Sequence, residues 1–148
     1  MTAPMARRTI HDVLERARRR IERLEPAEAW AAAERGATIV DIRSDLARES
    51  GVIPGSLHIP RTVLEWRLDP GSPWRNPHVG GLDTRILILC DHGYSSSLAA
   101  GALAELGFAR VGDVIGGFSA WAEAGLPVKP GPRPHDRRAL PGMAPPEP

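Results

Sequence analysis

The chain of 148 residues has only one cysteine, Cys90, and this scarcity excludes one class of protein. A single cysteine cannot form an internal disulfide, so the chain is not a secreted scaffold held together by disulfides. A lone thiol stays reduced in the cytosol, and we therefore expect a cytoplasmic protein.

Long apolar runs and a net charge of either sign are also missing. No apolar run approaches the roughly 20 residues that span a membrane. The start, Met1 to Arg8, lacks the apolar core of a signal peptide. Nineteen basic residues stand against eighteen acidic ones, for a formal net charge of +1. With no field of one sign across the whole chain, we expect neither a nucleic-acid partner nor a membrane partner.

What is present is the composition of an ordinary globular protein, in a chain long enough for one domain with a real core. Short β-branched or apolar runs alternate with helix-favouring segments on short connections. This alternation predicts an α/β fold, in which a central parallel sheet carries helices on both faces. Ligands of such folds bind beyond the carboxyl ends of the strands.

The order of the predicted elements follows from periodicity and from turn residues. Strands are predicted over 21–24, 38–42, 57–59, 86–89 and 110–115, and helical segments over 9–20, 26–35, 62–68, 97–107 and 118–124. Residues 43–50 are polar and residues 69–81 are rich in proline and glycine, so both are predicted to be loops.

The first helical segment carries a thin apolar stripe and a row of arginines. Thr9 with Asp12 three residues later is close to a capping box. We interpret the opposite face as a solvated surface rather than a polyanion site, because acidic residues interrupt its charge. The arginines of that face are Arg16, Arg18, Arg19 and Arg20.

Cys90 lies where the strand-like run 86–89 stops and a loop begins. A cysteine at the end of an apolar strand is, taken alone, more often a small core residue than a nucleophile. The residues that follow favour the nucleophile. Gly93 permits a left-handed backbone, so that successive N–H groups form an anion-binding nest, and Ser95 and Ser96 supply hydroxyls at the start of a helix. A thiol held there should ionise easily.

The loop Cys90-Asp91-His92-Gly93-Tyr94-Ser95-Ser96 resembles the active-site loop of the rhodanese family, in particular the small single-domain thiosulfate sulfurtransferases with a Cys-x-His-Gly-x-Ser-Ser loop. Three other segments agree with the family in the same order along the chain. Val40-Asp41-Ile42-Arg43 resembles its Asp-x-Arg strand end, 51–60 its Gly-His-Ile-Pro-Gly-Ala element, and 116–121 its Gly-Gly-x-x-x-Trp motif.

The resemblance implies a single rhodanese-like domain over residues 21–128, with about five parallel strands. It leaves residues 1–20 as an N-terminal helical extension. Residues 129–148 contain seven prolines and almost no large apolar side chain, which predicts a disordered tail.

The activity that the resemblance implies is sulfur transfer through a Cys90 persulfide, without metal or cofactor. Sulfane sulfur would pass from thiosulfate or a related small-molecule donor to a thiol or to cyanide, and a protein acceptor stays open. Residues 91–96, that is Asp91, His92, Gly93, Tyr94, Ser95 and Ser96, would bind the anionic donor. Within this set, His92 is as readily a solvent-exposed side chain as a donor contact, and Asp91 carries the wrong sign to stabilise a thiolate.

Two departures from the family matter. Val52 stands where histidine is usual, which affects a structural contact, and many relatives have arginine where this chain has Ser95. The thiolate must then depend on backbone N–H groups, on the helix dipole and on arginines from elsewhere. Arg61 and Arg67, which follow the Ile-Pro element, are the candidates, although surface ion pairs explain them at least as well. Asp41 and Arg43 are expected to support the strand end.

Three other functions are compatible with the same fold. A phosphatase needs a Cys-x5-Arg loop whose arginine clamps phosphate, and here the sixth residue after Cys90 is Ser96. An inactive regulatory module would not require Cys90 together with Gly93, Ser95 and Ser96. A persulfide relay that serves a protein partner is not separated from a small-molecule enzyme by the sequence.

Overall fold

The computed structural model describes residues 6–133. The chain alternates strands and helices as predicted. The strands are β1 (Glu22–Leu24), β2 (Thr38–Asp41), β3 (Leu57–His58), β4 (Ile86–Leu89) and β5 (Val111–Val114). The helices are α1 (Ile10–Arg18), α2 (Pro26–Glu34), α3 (Asp45–Arg48), α4 (Leu64–Leu68), α5 (Ser95–Glu105) and α6 (Gly117–Glu123), and a 3-10 turn covers Arg61–Val63.

The five strands form one sheet in the order β1-β5-β4-β2-β3, and every pairing is parallel. The predicted parallel α/β fold is therefore confirmed. Because β4 has neighbours on both sides and its four residues are fully buried, its carboxyl end opens at the middle of one sheet edge. Cys90 is the next residue, so the sheet places it where ligands of such folds bind.

Alternate residues of β4 face the two separate halves of the core. Ile86 and Ile88 pack on the side that α4 and α5 cover, together with Cys90 and Leu103. Leu87 and Leu89 belong to the opposite half, under α2 and α6; its buried members include Ala29, Ala32, Val114, Phe118 and Trp121. The second half also holds an edge-to-face pair between Trp30 and Trp121, with ring centroids 5.8 Å apart.

Helix α1 packs against the body of the domain rather than extending from it. Thr9 caps it in a complete capping box with Asp12, as the sequence predicts. Gly101 on α5 lets the two helices approach closely, since a Cβ there would lie 2.9 Å from the Cβ of Ala17. The last turn of α1 is thereby brought beside the start of α5.

Several local predictions differ from the structure. Residues 43–50 are not all loop, because Ser44 accepts a hydrogen bond from the Ala47 N–H and caps the short helix α3. Helix α5 begins at Ser95, two residues earlier than predicted. Lys129, assigned to the tail, exchanges backbone hydrogen bonds of 2.9 Å with Val52. Residues 1–5 of the predicted extension and 134–148 of the predicted tail lie outside the described residues.

Candidate active site

Cys90 occupies the junction between the end of β4 and the start of α5. Its side chain is 5% exposed, and its Sγ accepts two backbone hydrogen bonds from the loop. The Gly93 N–H donates to Sγ over 3.1 Å and the Ser96 N–H over 3.4 Å. Because α5 begins at Ser95, the Ser96 N–H is one of the donors that a helix leaves unpaired in its first turn. The predicted nest of backbone donors around the sulfur is present in the structure.

The loop reaches this shape because Gly93 has φ +83°, the left-handed conformation that the sequence predicts. A second constraint is spatial. A Cβ at position 93 would lie 2.7 Å from the nitrogen of Gly116 and 3.2 Å from the carbonyl oxygen of Val114. The loop therefore lies directly on the turn that follows β5.

The same turn holds the backbone of Cys90 from the other side. Gly117 has φ +62°, and helix α6 begins there with its N–H groups directed at the loop. The Phe118 N–H donates to the Cys90 carbonyl over 2.8 Å, and the Ser119 N–H donates to the Asp91 carbonyl over 3.1 Å. The Gly-Gly-x-x-x-Trp segment thus fixes the peptide groups that carry the nucleophile.

The electrostatics at Sγ result from two opposing effects. Burial raises the pKa of the Cys90 thiol, but hydrogen bonds from Ser96, Ser95 and Gly93 outweigh it and bring the pKa below its ordinary value of 9.0. The Ser96 hydroxyl has a single proton, and in the structure it donates that proton to Asp113 over 2.7 Å. The Gly93 and Ser96 N–H groups, in contrast, donate to Sγ with no competing acceptor among the described residues.

Asp113 on β5 is a buried carboxylate that sequence reasoning missed. It is fully buried, and its Oδ2 accepts hydrogen bonds from the Ser96 and Ser97 hydroxyls, over 2.7 and 2.8 Å. Arg23 on β1 completes the group by donating from Nε to Oδ1 over 2.9 Å and from Nη2 to Oδ2 over 3.2 Å. A buried charge is stable only when it is paired and hydrogen-bonded, and these four bonds supply both conditions.

Two arginines converge on the carbonyl oxygen of Gly93, at the back of the loop. Arg23 Nη2 donates to it over 3.0 Å and Arg18 Nη2 over 2.9 Å. Arg18 also donates from Nε to the Ser97 hydroxyl over 3.1 Å. The prediction that Arg18 belongs to a solvated helix face is wrong, because helix packing turns this side chain toward α5. A signal was available in Asp113, since an acidic residue inside an apolar strand requires a cationic partner.

The sequence model of the rhodanese-like domain matches residues 25–124. The chain belongs to the rhodanese-like domain family. The resemblance stated from the motifs is confirmed, and the matched range lies inside the predicted domain of 21–128.

This rhodanese-like chain is similar to curated single-domain relatives over most of its length. It is 38% identical over 100 residues to the thiosulfate sulfurtransferase GlpE of Pseudomonas syringae, an alignment that covers 68% of this chain and 86% of that protein. It is 30% identical over 106 residues to GlpE of Haemophilus influenzae, covering 71% and 91%. A solved structure from Rhodopseudomonas palustris, described as a protein of unknown function and a candidate tyrosine phosphatase, is 35% identical with a TM-score of 0.76, covering 87% of this chain and all of that one.

The Asp-x-Arg end of β2 forms a second buried network in this rhodanese-like domain. Asp41 is fully buried, and Arg43 binds it through Nη2 over 2.9 Å and Nε over 3.1 Å. Arg43 also donates to the Gly51 carbonyl over 2.8 Å and stacks 3.9 Å from the ring centroid of Phe118. These contacts join β2 to its following loop and to α6, a supporting position beside the site.

The two arginines that the sequence proposed for anion binding have other partners in the structure. Arg61 pairs with Glu65 over 2.7 Å, one turn along. Arg67 donates to the Trp74 carbonyl over 2.6 Å. Among residues 6–133, the cations that contact the Cys90 loop are Arg18 and Arg23 instead.

The remaining residues of the loop are exposed to solvent. Asp91, His92 and Ser95 are exposed, and Tyr94 is 63% exposed with the Arg18 guanidinium 5.6 Å from its ring centroid. Within residues 6–133, no group of three His, Cys, Asp or Glu side chains has the arrangement of a metal site. Nor does that part of the chain contain a helix long and apolar enough to cross a membrane.

Proposed function

We propose that this protein is a thiosulfate sulfurtransferase that carries sulfur on Cys90 as a persulfide. The observation that carries the proposal is the pair of backbone hydrogen bonds from Gly93 and Ser96 to Sγ, at the start of α5. They stabilise an anionic sulfur without a cationic side chain in the loop. The curated relatives, which are named thiosulfate sulfurtransferases, support the same donor.

In the first half-reaction the Cys90 thiolate attacks the outer sulfur of thiosulfate. A sulfur–sulfur bond forms, and the bond between the outer and the central sulfur of thiosulfate breaks. Sulfite leaves with the electron pair of that bond, and Cys90 becomes a persulfide anion. No proton is gained or lost if the thiol is already ionised, so the lowered pKa of Cys90 bears directly on this step.

In the second half-reaction an acceptor nucleophile attacks the terminal sulfur of the persulfide. Cyanide becomes thiocyanate, or a thiolate becomes a persulfide, and the bond between the two enzyme-bound sulfurs breaks. Cys90 leaves as a thiolate and re-enters the same nest. The acceptor is a small thiol, or a thiol of a partner protein.

The loop has further donors for the additional sulfur and for the departing sulfite. The N–H groups of His92, Tyr94 and Ser95 donate to no other group within residues 6–133. Unpaired loop N–H groups at a helix start are a site for an anion. We assign donor binding to residues 91–96, with Asp41 and Arg43 as structural support, and place the working domain at residues 21–128 in the cytosol.

A phosphatase is the second candidate, because the Rhodopseudomonas palustris neighbour is described as a candidate tyrosine phosphatase. Phosphoryl transfer needs a guanidinium that clamps the transferred group. Ser96 occupies that position here, and its hydroxyl is committed to the Asp113 carboxylate. No guanidinium is therefore available at this position to clamp a phosphoryl group, so we favour sulfur transfer.

Intact mass spectrometry after incubation with thiosulfate tests the proposal. The unmodified protein should gain the mass of one sulfur atom, lose it again on addition of cyanide, and release thiocyanate in equal amount. Cys90→Ser should do none of these while keeping its thermal unfolding transition. Absence of the added sulfur under saturating thiosulfate, or steady hydrolysis of p-nitrophenyl phosphate that Cys90→Ser abolishes, would reject the assignment.

A further inference from the structure

Arg18 is the only charged side chain of α1 for which the structure gives a contact with the Cys90 loop within residues 6–133. It lies outside the range 25–124 that the family model matches. Its guanidinium contacts three parts of the loop region: the Gly93 carbonyl over 2.9 Å, the Ser97 hydroxyl over 3.1 Å and the Tyr94 ring at 5.6 Å. A helix that the family pattern does not include thus reaches the site.

The bond to the Gly93 carbonyl matters because the N–H group of the same residue donates to the sulfur of Cys90. Of the two backbone hydrogen bonds that Sγ accepts, the one from the Gly93 N–H is the shorter, at 3.1 Å. Gly93 has no Cβ and φ +83°, so its two flanking peptide groups rotate more freely than those of other residues. Holding the carbonyl removes that freedom and keeps the N–H directed at the sulfur.

The two guanidinium groups at this carbonyl are not equivalent. Arg23 is bound through two bonds to Asp113, so its charge is compensated by a buried carboxylate. Arg18 has no carboxylate partner among the described residues, and its three contacts are with neutral groups. Its positive charge is therefore available to the loop, in a molecule whose loop has Ser95 and no arginine of its own.

We propose that Arg18 is a positioning residue for the nucleophile, which acts through Gly93. Its planar guanidinium donates hydrogen bonds to both the Gly93 carbonyl and the Ser97 hydroxyl. These bonds keep the Gly93 N–H hydrogen-bonded to Sγ in the thiol and persulfide states. A guanidinium suits this task because it donates from two nitrogens in fixed geometry, which an ammonium group cannot do. The consequence for turnover rests on the proposed function, whereas the consequence for thiol ionisation does not.

The test compares Arg18→Ala, Arg18→Lys and a matched control, Arg16→Ala. Arg16 is exposed on the same helix, and no contact of its side chain with the loop is present in the described residues, so the control removes one positive charge from the same helical turn without touching the loop. The primary measurement is the rate of Cys90 alkylation by iodoacetamide as a function of pH, in the full-length chain. Thermal unfolding and the rate of persulfide formation from thiosulfate are measured on the same samples.

Arg18→Ala should raise the alkylation midpoint by about half a pH unit relative to Arg16→Ala, as expected for weakening one hydrogen bond to a charged group. Below both midpoints, persulfide formation should then slow about threefold. Arg18→Lys should recover part of the shift. A midpoint equal to that of Arg16→Ala would overturn the proposal.

Full recovery in Arg18→Lys would also overturn it, because charge alone would then explain the effect; this variant decides the case if Arg18→Ala does not fold. The two proposals fail separately. A midpoint that shifts in a protein that gains no sulfur from thiosulfate rejects the sulfurtransferase and keeps the positioning role. If the protein gains sulfur from thiosulfate but the alkylation midpoint of Arg18→Ala equals that of Arg16→Ala, the sulfurtransferase is kept and the positioning role is rejected.

Discussion

Gly93 and Gly116 touch through their backbones, so closely that a Cβ on Gly93 would lie 2.7 Å from the nitrogen of Gly116. The nucleophile loop and the turn after β5 are therefore shaped against each other. Gly93 adopts φ +83°, and backbone atoms of Gly116 and Val114 occupy the space that a side chain at position 93 would need.

The first prediction concerns this contact. Gly93→Ala should lower the free energy of unfolding by about 3 kcal/mol, from left-handed strain and from the clash together, and should abolish the low alkylation midpoint of Cys90. Gly55→Ala is the matched control, because Gly55 has φ +80° and a Cβ there would meet nothing within 4 Å. It should cost only about 1–2 kcal/mol, the strain alone. Equal costs for the two variants would mean that the contact with Gly116 contributes nothing.

The second prediction concerns the pH dependence of Cys90. Since hydrogen bonds from Ser96, Ser95 and Gly93 outweigh the opposing effect of burial, the pKa of Cys90 lies below 9.0. The rate of alkylation should rise with pH to a midpoint below that value. A midpoint at or above 9.0 would contradict the nest of donors.

The same pKa predicts a third result, on stability. Between the folded and unfolded pKa values of Cys90, the folded protein binds fewer protons, so its free energy of unfolding rises with pH. This contribution is fully present above the unfolded pKa and is lost as the pH falls through the folded pKa. Chemical denaturation over this range should show the rise in the unmodified protein and not in Cys90→Ser. A rise of the same size in both would assign it to another group.

The fourth prediction separates supporting residues from those that hold the sulfur. Arg43→Ala should lower the free energy of unfolding by about 3–5 kcal/mol, because it leaves the fully buried Asp41 without its main partner. Arg48→Ala should cost less, because Arg48 Nε is 3.5 Å from the Asp41 carboxylate and makes no hydrogen bond. At temperatures where both variants are folded, the alkylation midpoint of Cys90 should stay unchanged; a shift in Arg43→Ala would give Asp41 and Arg43 a direct part in the chemistry.

The fifth prediction links the cap of α1 to the site. Thr9→Ala removes the cap of the helix that carries Arg18 and should cost about 1 kcal/mol. Ser44→Ala removes an equivalent cap from α3, which within residues 6–133 has no hydrogen bond or ion pair with the Cys90 loop. Both variants should lose similar stability, while only Thr9→Ala slows alkylation near neutral pH. Equal alkylation rates would show that α1 does not influence the loop.

The strand, the loop and the helix around Cys90 were accessible from sequence because each depends on neighbouring residues. The run 86–89 is continuous and apolar, Gly93 is the residue type for a left-handed turn, and the serines suit a helix start. The alternation of strands and helices on short connections predicted the parallel sheet, and the resemblance implied about five strands. These parts of the fold and of the site agree with the structure.

What the sequence could not give is the back of the site, because it is made of tertiary contacts. Arg18 and Arg23 lie 75 and 70 residues away from Gly93, and Arg23 lies 90 residues away from Asp113. Helical periodicity places Arg18 among exposed arginines and does not show that α1 packs on α5. Arg61 and Arg67 were chosen because they follow a family motif, and in the structure a nearby glutamate and a nearby carbonyl hold them.

The depth of Cys90 has a consequence for which nucleophiles can unload it. With 5% of the residue exposed, Cys90 presents little surface to an incoming nucleophile. A nucleophile as small as cyanide needs little of that surface, whereas a thiol of a partner protein must be brought to Cys90 on a projecting segment. With no second cysteine in the chain, the sulfur cannot move to another thiol of the same chain, so every acceptor must reach Cys90 itself.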